Sequence, residues 1–214
     1  MHKLLGFMHK LGTITNQLYT KKRETMKQFL LFLMTLICLS ASAQNADKLY
    51  EEGKQLYDAK KYAEAFPKLK AAAEKGHKKA QYRLGRCYDK GRGTEENDKL
   101  AFQWYEKSAN QGYAKALYQL GDCYKDGEGV AKDRKKAVEF FKKAAAQEYA
   151  EAEYALGKAY LKGKGIVADK VQAKKWLKRA VSNEKGGKEI LTELRKEAAD
   201  GDEDAKAILS LIGK

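Results

Sequence analysis

The chain is short of the residues that catalysis and metal binding draw on. Among 214 residues there are three histidines, three cysteines and a single proline. One proline allows long uninterrupted helices, and 43% hydrophobic content suits a soluble, mostly helical unit. A long apolar run is missing as well. Residues 29–39, FLLFLMTLICL, make only 11, where a membrane-spanning helix needs about 20. Met26-Lys27 precede this run and Ala41-Ser42-Ala43 follow it. A basic start, a short apolar core and a small-x-small exit describe a secretory signal peptide over 26–43, cut between Ala43 and Gln44. Lipid attachment at Cys38 is disfavoured, because bulky Ile37 stands where a small residue is needed. Residues 1–25 precede a signal already complete with its own Met26. They read as a start codon placed too early, or as a long basic leader; neither reading gives His2 or His9 a role.

Six of the 43 Lys/Arg and one of the 29 Asp/Glu lie in residues 1–43, so 37 and 28 remain, a net +9. A positive surface favours anionic partners: lipid headgroups, acidic polysaccharide, acidic proteins or nucleic acid. Export argues against nucleic acid. The plainer alternative is that lysine covers the solvent face of helices. His77 is the one histidine of residues 44–214; it leaves no zinc site and is expected on the surface beside lysines. Cys87 and Cys123 stand 36 residues apart, at matching points of a repeat. Stacked helices lie about 8–10 Å apart and a disulfide needs Cα atoms within about 7 Å. Two small buried side chains are therefore expected, not a bridge, and Ala159 fills the next matching slot.

The repeat dominates what is present. LGRCYDKGRG at 84–93 returns as LGDCYKDGEG at 120–129 and LGKAYLKGKG at 156–165. Copies at 80–115, 116–151 and 152–187 open with Ala80, Ala116 and Ala152. Leu84, Leu120 and Leu156 follow four residues on, then Tyr88, Tyr124 and Tyr160. That spacing draws one stripe along a helix. Gly85, Gly121 and Gly157 fall inside it, where glycine costs about 1 kcal/mol against alanine. Their recurrence predicts a partner helix pressed close. The pairs Gly91/Gly93, Gly127/Gly129 and Gly163/Gly165 end the helix in a sharp reversal. Asn97, Asp133 and Asp169 then cap a second helix. Ala101, Ala137 and Ala173 follow, with bulky Trp104-Tyr105, Phe140-Phe141 and Trp176-Leu177 behind them. No strand precedes the glycine turn and no Gly-Lys-Ser/Thr follows, so it cradles no phosphate.

The pattern A-x-x-x-L-G-x-x-Y-x-x-G-x-G, with its alanine and aromatic pair, resembles the Sel1-like repeat, a relative of the tetratricopeptide repeat. Residues 44–79 look like a plain tetratricopeptide unit, and 188–214 like capping helices that close an open end. A loop is expected over SNEKGGKE and a helix start near residue 203. The resemblance implies an all-α, right-handed α-α superhelix, a solenoid of helical hairpins. It also implies a concave face lined by the first helices. Tyr50, Tyr82, Tyr118 and Tyr154 each stand three residues before the helical glycine. Lys54, Arg86, Asp122 and Lys158 stand one residue after it, and Lys90, Lys125 and Lys162 edge the groove. Such a face suits an extended peptide or an anionic polymer; the same tyrosines also suit packing between repeats. No Gly-x-Ser-x-Gly occurs. Some disulfide-rich members of the family are described as penicillin-binding or weakly β-lactamase-like, but their cysteine positions hold other residues here. The expectation is an exported, non-enzymatic adaptor without cofactor or metal. It would meet a protein or peptide in the periplasm or at the cell surface, or alternatively an anionic envelope polymer. No stable membrane span would remain after cleavage.

Overall fold

The computed structural model describes the backbone of residues 2–214 and the side chains of residues 21–35 and 43–214. The side chains of His2, His9, Cys38, Ala41 and Ser42 lie outside the described residues. Every described element is helical: α1 His2–Asp58, α2 Tyr62–Glu74, α3 Lys78–Asp89, α4 Asp98–Asn110 and α5 Ala114–Asp126, then α6 Arg134–Ala145, α7 Ala150–Lys162, α8 Lys170–Ser182, α9 Gly187–Ala199 and α10 Glu203–Ile212. Two compact units divide the chain, Met1–Asn45 and Ala46–Lys214. In the first, Met26 and the hydrophobic side chains of residues 29–34 are exposed, Phe29 at 62% and Met34 at 64%. No helix among the described residues is long and apolar enough to cross a membrane.

In the second unit each hairpin packs against the one before and the one after: α3 on α4, α5 on α6, α7 on α8, with α2 on α3, α4 on α5 and α6 on α7 between them. This is an α-solenoid. Its core is one chain of clusters; Tyr88 bridges the first to the middle cluster and Tyr160 the middle to the last. Ala80, Leu84, Ala116, Leu120, Ala152 and Leu156 are all at most 1% exposed. The α1, α3, α5 and α7 glycines stand where the partner helix leaves no room. A Cβ on Gly121 would lie 2.3 Å from the Phe141 ring, on Gly85 2.6 Å from Tyr105, on Gly157 2.7 Å from Leu177, and on Gly53 3.0 Å from Leu69. The second glycine of each turn has a further role. Gly129 has φ +69, and a Cβ there would sit 2.2 Å from the Asp98 carbonyl oxygen in the preceding hairpin. Gly93 and Gly165 meet the Tyr62 and Arg134 carbonyls the same way, so the turn is also an inter-hairpin contact.

Capping follows the sequence. Asn97 accepts from the Leu100 amide, Asp133 from Lys135 and Lys136, and Asp169 from Val171 and Gln172. Asp202 caps α10 through the Ala205 amide. At the C-terminal end the expected loop is shorter, since α9 begins at Gly187. Its N-terminus sits so close to the end of α8 that a Cβ on Gly187 would meet the Val181 carbonyl at 2.6 Å. Leu194, Ala205, Ile208 and Ile212 then cover Ala173 and Leu177, closing the apolar end of the stack.

Candidate interaction face

The odd-numbered helices present the tyrosine row, and the structure divides it. Tyr50 is only 5% exposed and stacks on the His77 ring at 4.2 Å; it is core. Tyr82 and Tyr118 are half-buried. Tyr82 meets Tyr113 edge-on at 5.4 Å and Tyr105 at 5.9 Å. Tyr118 repeats this with Tyr149 at 5.5 Å and Phe141 at 5.7 Å. Tyr154 is half-buried beside the C-terminal helices, with the Lys158 ammonium 5.2 Å from its ring. Burial pushes the Tyr154 hydroxyl up to about 12, helped by Glu197, Asp202 and Asp204. Sequence reasoning missed Tyr113 and Tyr149, the partners that hold the row in place. They too are 36 residues apart, but they lie just before α5 and α7, outside the helical stripe.

The flanking charges are held differently. Arg86 donates to the Tyr82 hydroxyl at 3.4 Å. Lys54 lies 3.9 Å from both Glu51 and Asp58. Asp122 accepts from Lys125 at 2.6 Å, and Lys125 also reaches Asp126 at 3.1 Å. Lys158 lines a cleft of about 290 Å³ between α5–α6 and α7, together with Lys132, Arg134, Lys162 and Lys164. His77, expected on the surface, is instead only 14% exposed. Its Nδ1 accepts from the Ala80 amide, so it caps α3. Burial holds its pKa below the usual value, partly offset by Asp47.

Two polar clamps were also invisible in the repeat. Gln81 and Glu153 occupy the row where the middle hairpin has Leu117, and both are buried. Gln111 donates to Gln81 at 2.7 Å and to the Gly76 carbonyl at 2.9 Å. Asn183 donates to Glu153 at 3.2 Å and to the Glu148 carbonyl at 2.9 Å. Arg179 Nε lies 2.5 Å from Glu153 Oε1, an ion pair whose angle falls short of a hydrogen bond.

Both thiols sit in packing positions. Cys87 and Cys123 are buried and unpaired, and burial pushes them up to about 11 and about 12. Ser182 and Lys185 have the Ser-x-x-Lys spacing, but Ser182 ends α8 and Lys185 lies in the following turn. They share no helical face. Among the described residues no three His, Cys, Asp or Glu side chains converge as metal ligands.

A stack of near-identical hairpins with an aromatic and charged face defines a helical repeat protein. More specifically, the chain belongs to the Sel1 repeat family, whose family model matches residues 78–113, 114–149 and 150–184. It is similar to the crystal structure of a Sel1 repeat protein from Oxalobacter formigenes, at 32% identity, TM-score 0.61, over 75% of this chain and 74% of that one. It also resembles a protective antigen of uropathogenic Escherichia coli that displays an SLR fold, at 27% identity and TM-score 0.65. That match spans 83% of this chain but 40% of the antigen. No curated protein matches the chain significantly.

Proposed function

We propose that this chain is an exported scaffold that binds a protein partner along the face of its odd-numbered helices. Sel1 repeat proteins in general are scaffolds for protein–protein interaction. The observation that carries the reading here is the half-buried aromatic row, Tyr82 and Tyr118 on Tyr113 and Tyr149. Rigid, pre-positioned aromatic rings with one free edge supply contact area at little entropic cost. Among the described residues, those buried in the solenoid are almost all apolar.

Export is supported by two features. The hydrophobic side chains of residues 26–34 stay exposed, outside any core. The compact unit begins at Ala46, so cleavage between Ala43 and Gln44 leaves it whole. Mass spectrometry of the protein purified from envelope extract should give an N-terminus at Gln44; an intact Met1 or Met26 start there overturns export by this signal.

The binding face is tested with a photo-crosslinking phenylalanine placed at position 82, 118 or 154, a near-isosteric change that spares the packing. Control positions are Glu106, Lys142 and Lys178, an exposed row on α4, α6 and α8. One shared crosslinked protein from the first set and none from the second is expected. Equal crosslinking from both sets overturns the assignment.

A further inference from the structure

Six cations and one carboxylate line the cleft of about 290 Å³ between the second and third hairpins. Two of the cations are taken. Lys125 holds both Asp122 and Asp126, the one carboxylate of the lining, and Lys162 is paired with Asp204 of α10. Lys132, Arg134, Lys158 and Lys164 have no ion-pair partner among the described residues. They face the cleft from both sides. Lys132 and Arg134 come from the turn and α6 of the second hairpin, Lys158 and Lys164 from α7 and the turn of the third. Val138, Phe141 and Ala159 also line the cleft and are themselves buried. They form its floor beneath exposed Lys132, Arg134 and Lys164.

Unpaired charges of one sign around an apolar floor focus their field into the space between them. A carboxylate at the rim already feels it: Asp204 is held below its usual range by Lys162, with help from Lys158 and Lys164. The volume limits what can enter. Small-molecule sites run from about 300 Å³ upward, so this cleft suits one or two side chains rather than a whole cofactor. Lys158 joins it to the odd-helix row, since its ammonium lies 5.2 Å from the Tyr154 ring.

We propose that this cleft seats a short acidic segment of the protein partner. One apolar side chain rests on Val138, Phe141 and Ala159, and carboxylates on either side of it meet Lys132 and Arg134 on one wall and Lys158 and Lys164 on the other. The proposal rests on the reading of the odd-helix face as a protein-binding surface, and names the chemistry of the segment that anchors there. The buried floor favours such a segment over an anionic polysaccharide, which brings charge but no apolar side chain to cover it.

The test titrates the isotope-labelled chain from Gln44, which keeps the whole compact unit from Ala46. Amide shifts are read by NMR at about 0.1 M salt, where charges beyond about 10 Å are screened. The probes, with blocked termini, are Glu-Glu-Leu-Glu-Glu, the same peptide with serine for leucine, and Lys-Lys-Leu-Lys-Lys; a sulfated disaccharide is the fourth. The acidic leucine peptide should shift the Val138 and Ala159 amides and bind at least about fivefold tighter than the serine peptide, as one partly buried leucine would give. The lysine peptide should not bind. Lys132→Glu/Arg134→Glu/Lys164→Glu, all at exposed positions, should weaken the leucine peptide about tenfold, the sum expected of several exposed ion pairs.

Equal binding of the serine peptide, shifts centred away from the cleft, a folded triple variant that binds unchanged, or no binding at millimolar concentration overturns the proposal. So does a disaccharide that binds as tightly as the leucine peptide, which would assign the cleft to polysaccharide. The peptide comparison decides the matter even if the triple variant fails to fold. Crosslinking at positions 82, 118 and 154 reads the face and the titration reads the cleft. One crosslinked protein together with equal leucine and serine binding removes the cleft and leaves the face; equal crosslinking from both sets removes the face, and the titration still decides the cleft's ligand.

Discussion

The second and third Sel1 hairpins share a core and differ in their surfaces. Gly121 against Phe141 and Gly157 against Leu177 are the same close contact, and Leu120 and Leu156 are equally buried. Yet Asp122, Asp126 and Glu128 of one are Lys158, Lys162 and Lys164 of the other. Steric demand explains the constant rows, because a Cβ would have to enter an aromatic ring or a backbone carbonyl. No such steric demand acts on Asp126 and Glu128, or on Lys162 and Lys164, which are exposed. The two hairpins also differ in charge at one buried position, where Leu117 of the second is matched by Glu153 of the third. Inside a solenoid even a core row tolerates a charge when the next helix supplies Arg179 and Asn183.

Substitutions can break this comparison at graded cost. Gly121→Val forces a branched side chain into the Phe141 ring and should destabilise by about 3 kcal/mol in urea unfolding; a loss below about 1 kcal/mol would show that the close approach is not required. Arg179→Ala strands the buried Glu153 carboxylate. Removing one partner of a buried pair costs about 3–5 kcal/mol, discounted here to about 2 because Arg179 is itself half-exposed. Glu153→Leu, which copies the middle hairpin, should stay within about 1 kcal/mol of the parent by the same measurement. Asp133→Ala removes two amide hydrogen bonds at the start of α6 and should cost about 1 kcal/mol.

The smallest effect is at His77, where the cap has an imidazole acceptor. Its folded pKa lies below the unfolded value, so the unfolded chain binds the proton more readily. The contribution is complete above about pH 6.5 and fades as pH falls below that value. Chemical denaturation at pH 7 and pH 5 should show it, and His77→Asn, which keeps a cap acceptor, should flatten the difference. An unchanged slope would mean that protonation does not disturb this cap.

Much of the fold was legible because the repeat writes it three times. Helical glycines, capping Asn97, Asp133 and Asp169, and the reversal at each double glycine are local requirements that recur at fixed spacing. The inter-hairpin role of Gly129 was hidden, since its contact is with Asp98, 31 residues earlier. The burial of Tyr50 and His77 was hidden for the same reason: the two rings find each other only once the first hairpin stacks on the next. Of the residues the sequence reading put forward for the face, Tyr82, Tyr118, Arg86, Asp122 and Lys158 are half-buried on the odd-numbered helices. It named Lys125, Lys158 and Lys162 but not the cleft they line, which is built from three different helices and two turns.

The most direct test of the division between a fixed core and a variable surface is to graft the third hairpin's exposed charges onto the second, Asp126→Lys/Glu128→Lys. Thermal melting is read on the parent and the variant side by side. The melting midpoint should move by no more than about 5 °C. Collapse of the fold, or a midpoint lowered as far as by Gly121→Val, would contradict the account.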